Sequence, residues 1–231
     1  GVEHASYLLR LGGDVPSIQS DLRSGKITKA QAESQYAATF DQQRAISEYR
    51  KLGAKGLFVC PTLIGSYQLA YLKETDHTKD VFLKYLTERF VSNYQWRIQR
   101  MANETPEQLQ QRQERLELLK KQLPLMQQAG IKLMAGSDAA ALNTYVYPAE
   151  SLLQELEIFQ EAGLTPLQIL QSATMAGARY FNNENETSSI EPGKRADLVL
   201  LNQNPLKDAR ALRSVNSVVV RGKLYDRQKL D

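Results

Sequence analysis

The residue with the clearest chemical setting is Asp138. It closes the run Gly130-Ile131-Lys132-Leu133-Met134-Ala135-Gly136-Ser137-Asp138-Ala139, in which an apolar segment ends in two small residues and then a carboxylate. The pattern reads as a buried strand with Asp138 at its C-terminal tip. In a parallel α/β barrel that tip faces the active site, because catalytic groups come from the C-terminal ends of the strands. A carboxylate beside an attacking water is a competent general base. By itself, an Asp after a strand is more often a turn former or a helix cap. Other candidates are few: the 231 residues hold two histidines, His4 and His77, and one cysteine, Cys60. His4 ends Val2-Glu3-His4, which reads as the end of a short strand; a lone histidine there is ordinarily solvated. His77 follows Asp76 at the mouth of a helix and is expected at the surface. Cys60 alternates with Phe58 and Thr62 along an apolar run, a core-packing position with no cationic neighbour to lower its pKa.

The elements that must position these residues can be read from periodicity and punctuation. Thr28-Lys29-Ala30-Gln31 has the form of a capping box. It opens an expected helix of about 24 residues, with Tyr36, Phe40, Ile46, Tyr49 and Leu52 inward and Gly53 at its end. Leu57 to Leu63 reads as a buried strand with Pro61 near its C-terminal end. Residues 78 to 128 are amphipathic and helical, broken at 103 to 106, where Thr105, Pro106 and Gln108 form a second capping box. Ile131 to Ala135 is the next strand. A helix over 150 to 162 should place Leu152, Leu153, Leu156 and Phe159 inward. Thr165-Pro166-Leu167-Gln168 opens another helix, to about Tyr180. Beyond the polar loop 182 to 189 the pattern changes to strands at Ala196 to Leu201, Val215 to Val220 and Lys223 to Tyr225. A boundary near residue 183 is expected, with residues 1–182 alternating strand and helix and residues 183–231 forming a small all-β part.

The 42% hydrophobic fraction suffices for a buried core. A formal net charge of +3, with basic residues scattered, argues against a nucleic-acid groove. A single cysteine excludes an internal disulfide and a cysteine metal cluster. No apolar run reaches the length of a membrane span.

The stretch from Gly163 to Tyr225 resembles the C-terminal end of the amidohydrolase superfamily, in its imidazolonepropionase-like and prolidase-like branch. The matching residues are Glu161-Ala162-Gly163-Leu164-Thr165-Pro166, Ala173-Thr174-Met175-Ala176-Gly177-Ala178 and Asn204-Pro205-Leu206. The longest match is Ser189-Ile190-Glu191-Pro192-Gly193-Lys194-Arg195-Ala196-Asp197-Leu198-Val199-Leu200-Leu201. Val2-Glu3-His4, Val59-Cys60-Pro61-Thr62-Leu63 and Gly136-Ser137-Asp138 resemble the family's sixth, seventh and eighth barrel strands. The resemblance implies an α/β fold, a partial TIM-type (β/α)8 barrel made of strands six to eight with their helices. Strands of a small, composite β-sandwich domain follow. It implies a hydrolase acting on carbon–nitrogen bonds (amide, cyclic amide or small peptide) through water activated by a divalent metal, zinc above all. His4 and Asp138 would be metal ligands and Asp138 also the proton acceptor. Tyr67 and Tyr145, in the loops after strands seven and eight, are candidates to contact a small-molecule or peptide substrate, as are Tyr71 and Tyr147.

The sequence departs sharply from that pattern, and in a second respect at Leu153, where related sequences often carry a histidine. It contains no His-x-His, and strands one to five have no counterpart, whereas a whole barrel takes about 250 residues. The expectation is an incomplete portion, inactive in isolation, whose partner is a missing N-terminal portion of the same barrel. The alternative is a non-catalytic barrel fragment or pseudoenzyme module with a binding role. The coding sequence upstream of Gly1 discriminates them: a His-x-His strand favours the first, a start codon there the second.

Overall fold

The computed structural model describes residues 1–139 and 143–227. Among these, three short parallel strands, β1 (Val2–Glu3), β2 (Phe58–Cys60) and β3 (Lys132–Leu133), lie side by side in that order. The pairing sets Val2 against Val59 and Val59 against Leu133. Backbone bonds prolong the ladder past the strands: His4 N–H donates to Cys60 O at 2.8 Å, and Met134 N–H to Val59 O at 2.8 Å. The three tips carrying His4, Thr62 and the approach to Asp138 are thereby held at one edge.

The crossover from β1 to β2 holds α1 (Ser6–Leu9), α2 (Val15–Arg23), α3 (Lys29–Ala38) and α4 (Gln42–Ala54). The long helix expected from Thr28 is therefore two helices. Asp41 takes an extended conformation and accepts the Arg44 N–H, capping α4 afresh. Nor does Gly53 end α4, which runs on to Ala54. A Cβ at Gly53 would lie 2.2 Å from Ala129 O, so this glycine serves the close approach of α4 to the turn before β3.

Between β2 and β3 come α5 (Leu63–Ala70), 3-10 turns at His77–Lys79 and Val81–Tyr85, α6 (Glu88–Met101) and α7 (Pro106–Gln128). Leu63, read as strand, is the first residue of α5. After β3 follow α8 (Glu150–Glu161), α9 (Pro166–Ala173) and α10 (Met175–Tyr180). The capping boxes at Thr28, Thr105 and Thr165 all form, each with both reciprocal bonds. The main core lies between the sheet and α4, α5, α7 and α8, around Tyr49, Val59, Leu63, Leu119, Leu123 and Phe159. Burying such side chains contributes about 1.5–3 kcal/mol each.

The C-terminal strands β4 (Leu198–Leu201), β5 (Val215–Val220) and β6 (Lys223–Asp226) form a separate antiparallel sheet in sequential order. It is pinned to α8 by Arg213, whose guanidinium meets Glu150 at 2.8 Å and Glu157 at 2.6 Å. Val199, Leu200, Val220 and Leu224 remain exposed. The observed architecture is thus mixed α/β with two small sheets. Among the described residues no helix is long and apolar enough to cross a membrane.

Candidate active site

Three residues just past the strand ends, His4, Thr62 and Asp138, have φ values of 68°, 49° and 51°. Left-handed backbone is uncommon for residues other than glycine and an outlier for β-branched Thr. Each such residue costs on the order of 1–3 kcal/mol and persists only where surrounding contacts enforce it. At Thr62 the enforcement is visible. Its side chain donates to Pro61 O at 2.8 Å and meets His4 Nδ1 at 2.6 Å. The first two amides of α5 donate to the Glu155 carboxylate, Leu63 N–H at 2.9 Å and Ile64 N–H at 2.7 Å.

These contacts hold the histidine. Which partner donates between Thr62 Oγ1 and His4 Nδ1 follows the histidine tautomer. In the tautomer whose Nδ1–H donates to Oγ1, Nε2 is the bare nitrogen, the form that binds a metal. Nε2 lies 4.0 Å from Asp138 Oδ2. The amide Nδ2 of Asn143 donates to Asp138 Oδ2 at 2.8 Å and to its backbone O at 2.6 Å, fixing the carboxylate and leaving Oδ1 open. His4, Thr62, Ser66, Arg97, Asp138 and Asn143 line a cavity of about 450 Å³, within the range of small-molecule sites.

As a metal site the pair offers a suitable donor set, an imidazole nitrogen and a carboxylate oxygen. Their separation of 4.0 Å is wide, because bonds of about 2 Å to both atoms would put an ion almost on the line between them, whereas tetrahedral coordination brings two such ligands to about 3.3 Å. The donor chemistry fits, and the spacing fits only if the two side chains close on the ion. The number does not suffice, because at least three protein ligands are usual at zinc sites. Among the described residues no group of three or more His, Cys, Asp or Glu could hold an ion.

Tyr67 and Tyr145, two of the four tyrosines proposed for substrate, lie elsewhere. Tyr67 packs against Tyr71 with the rings tilted and their centroids 4.8 Å apart, and burial and then Glu161 raise its pKa, which places it toward α7 and α8. Tyr145 stacks on His77 at 4.0 Å and lines a different hollow with Thr75, Ile98 and Met101. Neither lines the cavity of His4 and Asp138. His77 itself, expected at the surface, is 8% exposed. Its Nδ1 meets Asp80 Oδ2 at 2.8 Å, and Tyr147 Oη donates to the same oxygen at 2.6 Å. Cys60 is buried as expected; burial and then Glu3 push its thiol up to about 12. A Cβ at Gly136 would lie 2.5 Å from Cys60 Sγ, so this glycine lets the end of β3 close on β2.

Two residues of the site carried no sequence signal. Glu155 is completely buried on α8, whereas Leu152 and Leu153, expected inward, are half-buried. The helix is rotated so that Glu155 meets α5. Burial, against the opposing amide bonds, pushes its carboxyl up to about 8. Arg97, on α6, reaches the cavity from a segment read only as amphipathic.

Residues 85–225 match the Amidohydrolase family. The chain is 29% identical over 119 residues to the 5-methylthioadenosine/S-adenosylhomocysteine deaminase of Syntrophomonas wolfei subsp. wolfei, covering 44% of this chain and 28% of that protein. It resembles the solved bottromycin amidohydrolase with a TM-score of 0.67 and 20% identity, over 99% of this chain and 50% of that one. A prolidase solved with N-methylphosphonate-L-proline matches with a TM-score of 0.53 and 25% identity, over 82% of this chain and 38% of that one. The chain therefore spans half or less of the length of these relatives. The family match over residues 85–225, more than half of the sequence, makes this chain a member of the amidohydrolase family.

Proposed function

We propose that the chain carries the general-base side of a metal-dependent hydrolase acting on carbon–nitrogen bonds. The observation that carries this reading is His4 Nε2 facing Asp138 Oδ2 at 4.0 Å over a cavity at the strand tips. His4 and Asp138 would hold a divalent ion, zinc by preference, which when bound makes water acidic near neutral pH and polarises the carbonyl under attack. Asp138 takes the proton of the attacking water on Oδ1, while Asn143 keeps Oδ2 engaged. It then hands the proton to the leaving nitrogen. Thr62, accepting from Nδ1–H, would hold the imidazole in the tautomer that leaves Nε2 free.

Two donors are too few for the ion. In this reading the remaining ligands come from a segment of the same barrel outside this chain. The parallel strands β1 to β3 would be three neighbouring strands of that barrel. Residues 1–182 would belong to it and residues 183–231 to a β-sandwich, whose further strands would cover exposed Val199 and Leu224. The chain by itself would be inactive. Substrates would be amides, cyclic amides or small peptides; the deaminase and prolidase relatives both break carbon–nitrogen bonds. Tyr67 and Tyr145 are not part of the proposal, since they lie outside the cavity.

The test is steady-state hydrolysis of amide and dipeptide panels by the full-length, zinc-loaded protein. Asp138→Asn is expected to lower kcat about 10²- to 10⁴-fold without shifting the melting temperature, since Asp138 is exposed. A full-length protein that neither takes up zinc nor hydrolyses any member of the panel would favour the binding-module alternative, which the two-ligand count supports.

A further inference from the structure

Among the described residues, Arg97 is the one arginine or lysine that lines the cavity. It is half-buried, and no carboxylate or other acceptor within the described residues bonds its guanidinium. Other arginines at helix contacts are paired: Arg112 with Glu104, Arg115 with Glu33, Arg213 with Glu150 and Glu157. The surroundings of Arg97 make its charge costly. Burial lowers its pKa, then Arg100 and Arg112 lower it further, and Asp138 opposes them. A guanidinium does not shed its proton in a protein, so relief must come from an anion. Its planar fork suits two parallel bonds to a carboxylate.

We propose that Arg97 is a specificity residue that binds a free carboxylate of the substrate. The substrate class is then an amide with a carboxylate at one end, such as a dipeptide or an N-acyl amino acid, in preference to a neutral amide. The carboxylate lies on the α6 side of the cavity and the scissile bond toward His4 and Asp138. Ser66, on α5, lines the same cavity. This assignment rests on the hydrolase reading given above for the same cavity. It adds which end of the substrate is recognised and by which residue.

The experiment compares alanyl-alanine with its C-terminal amide as substrates of the full-length, zinc-loaded protein. Alongside, calorimetry measures binding of N-acetylalanine and N-acetylalanine amide, which requires no turnover. Wild type is expected to favour the free acid in both assays. Arg97→Gln is expected to shrink that preference about 10- to 100-fold, chiefly through KM, and Arg97→Lys to restore part of it, because an ammonium keeps the charge but not the fork. Among the described residues Arg97 has no hydrogen-bond or ion-pair partner, and its one ring contact, Trp96 at 5.8 Å, is at the long end of such interactions, so the variants should melt close to wild type. Equal losses on acid and amide in Arg97→Gln, or a wild type indifferent to the carboxylate, would overturn the assignment while leaving the hydrolase reading in place. Carboxylate-selective binding without hydrolysis would support Arg97 and remove the hydrolase reading.

Discussion

The Glu155 carboxylate, shielded from solvent on α8, accepts the backbone N–H of Ile64 at 2.7 Å, across 91 residues of sequence. It also takes the preceding amide, Leu63, and so closes the N-terminus of α5 beside left-handed Thr62. An acid with a raised native pKa favours the low-pH side. The folded state binds more protons than the unfolded one between about 4.5 and about 8. Its contribution to stability therefore falls as pH rises through that window, by at most on the order of 1.4 kcal/mol per unit, and levels off above it. In Glu155→Gln the amide offers one acceptor to two donors, which costs about 1–3 kcal/mol. Urea unfolding at pH 5.5 and pH 8 should show a pH slope in wild type that the variant lacks. Parallel slopes in the two proteins would refute the assignment.

Thr62 Oγ1 orients His4 through a 2.6 Å contact. Thr62→Val keeps the shape and the branched Cβ but removes the acceptor for Nδ1–H. Zinc affinity of the full-length protein is expected to fall about 10- to 100-fold. Thr62→Ser should retain most of it. Zinc titration by calorimetry decides the matter, and an unchanged affinity in Thr62→Val would mean that the imidazole is oriented by something else.

Asp80 serves two buried groups in the helical segment between β2 and β3, His77 and Tyr147. Burial and then the bond to Asp80 raise the Tyr147 pKa, so the phenol remains a donor. Asp80→Ala leaves both groups without that partner and is expected to cost about 2–4 kcal/mol, while Asp80→Asn costs less. Denaturation midpoints give the measurement. A change below about 0.5 kcal/mol, the range of ordinary surface substitutions, would show that water replaces the carboxylate without loss.

The C-terminal run by itself led to the family, and the strand-tip pattern put forward Asp138 and His4 as candidates. The capping boxes at Thr28, Thr105 and Thr165 were equally legible. These signals are local: a cap joins residues three apart, and a strand announces its tip by an apolar run followed by small residues. The break of the expected long helix at Asp41 was the readable signal that periodicity obscured, since Asp is itself a strong cap. Tertiary structure alone decided the left-handed backbone at His4, Thr62 and Asp138, because no single segment rewards that conformation. It also decided that Glu155 faces inward and that His77 is buried. The same holds for Arg97, which reaches the cavity from α6. Each of these depends on partners far away in sequence, and such contacts exist only once the three parallel strands have brought their tips together.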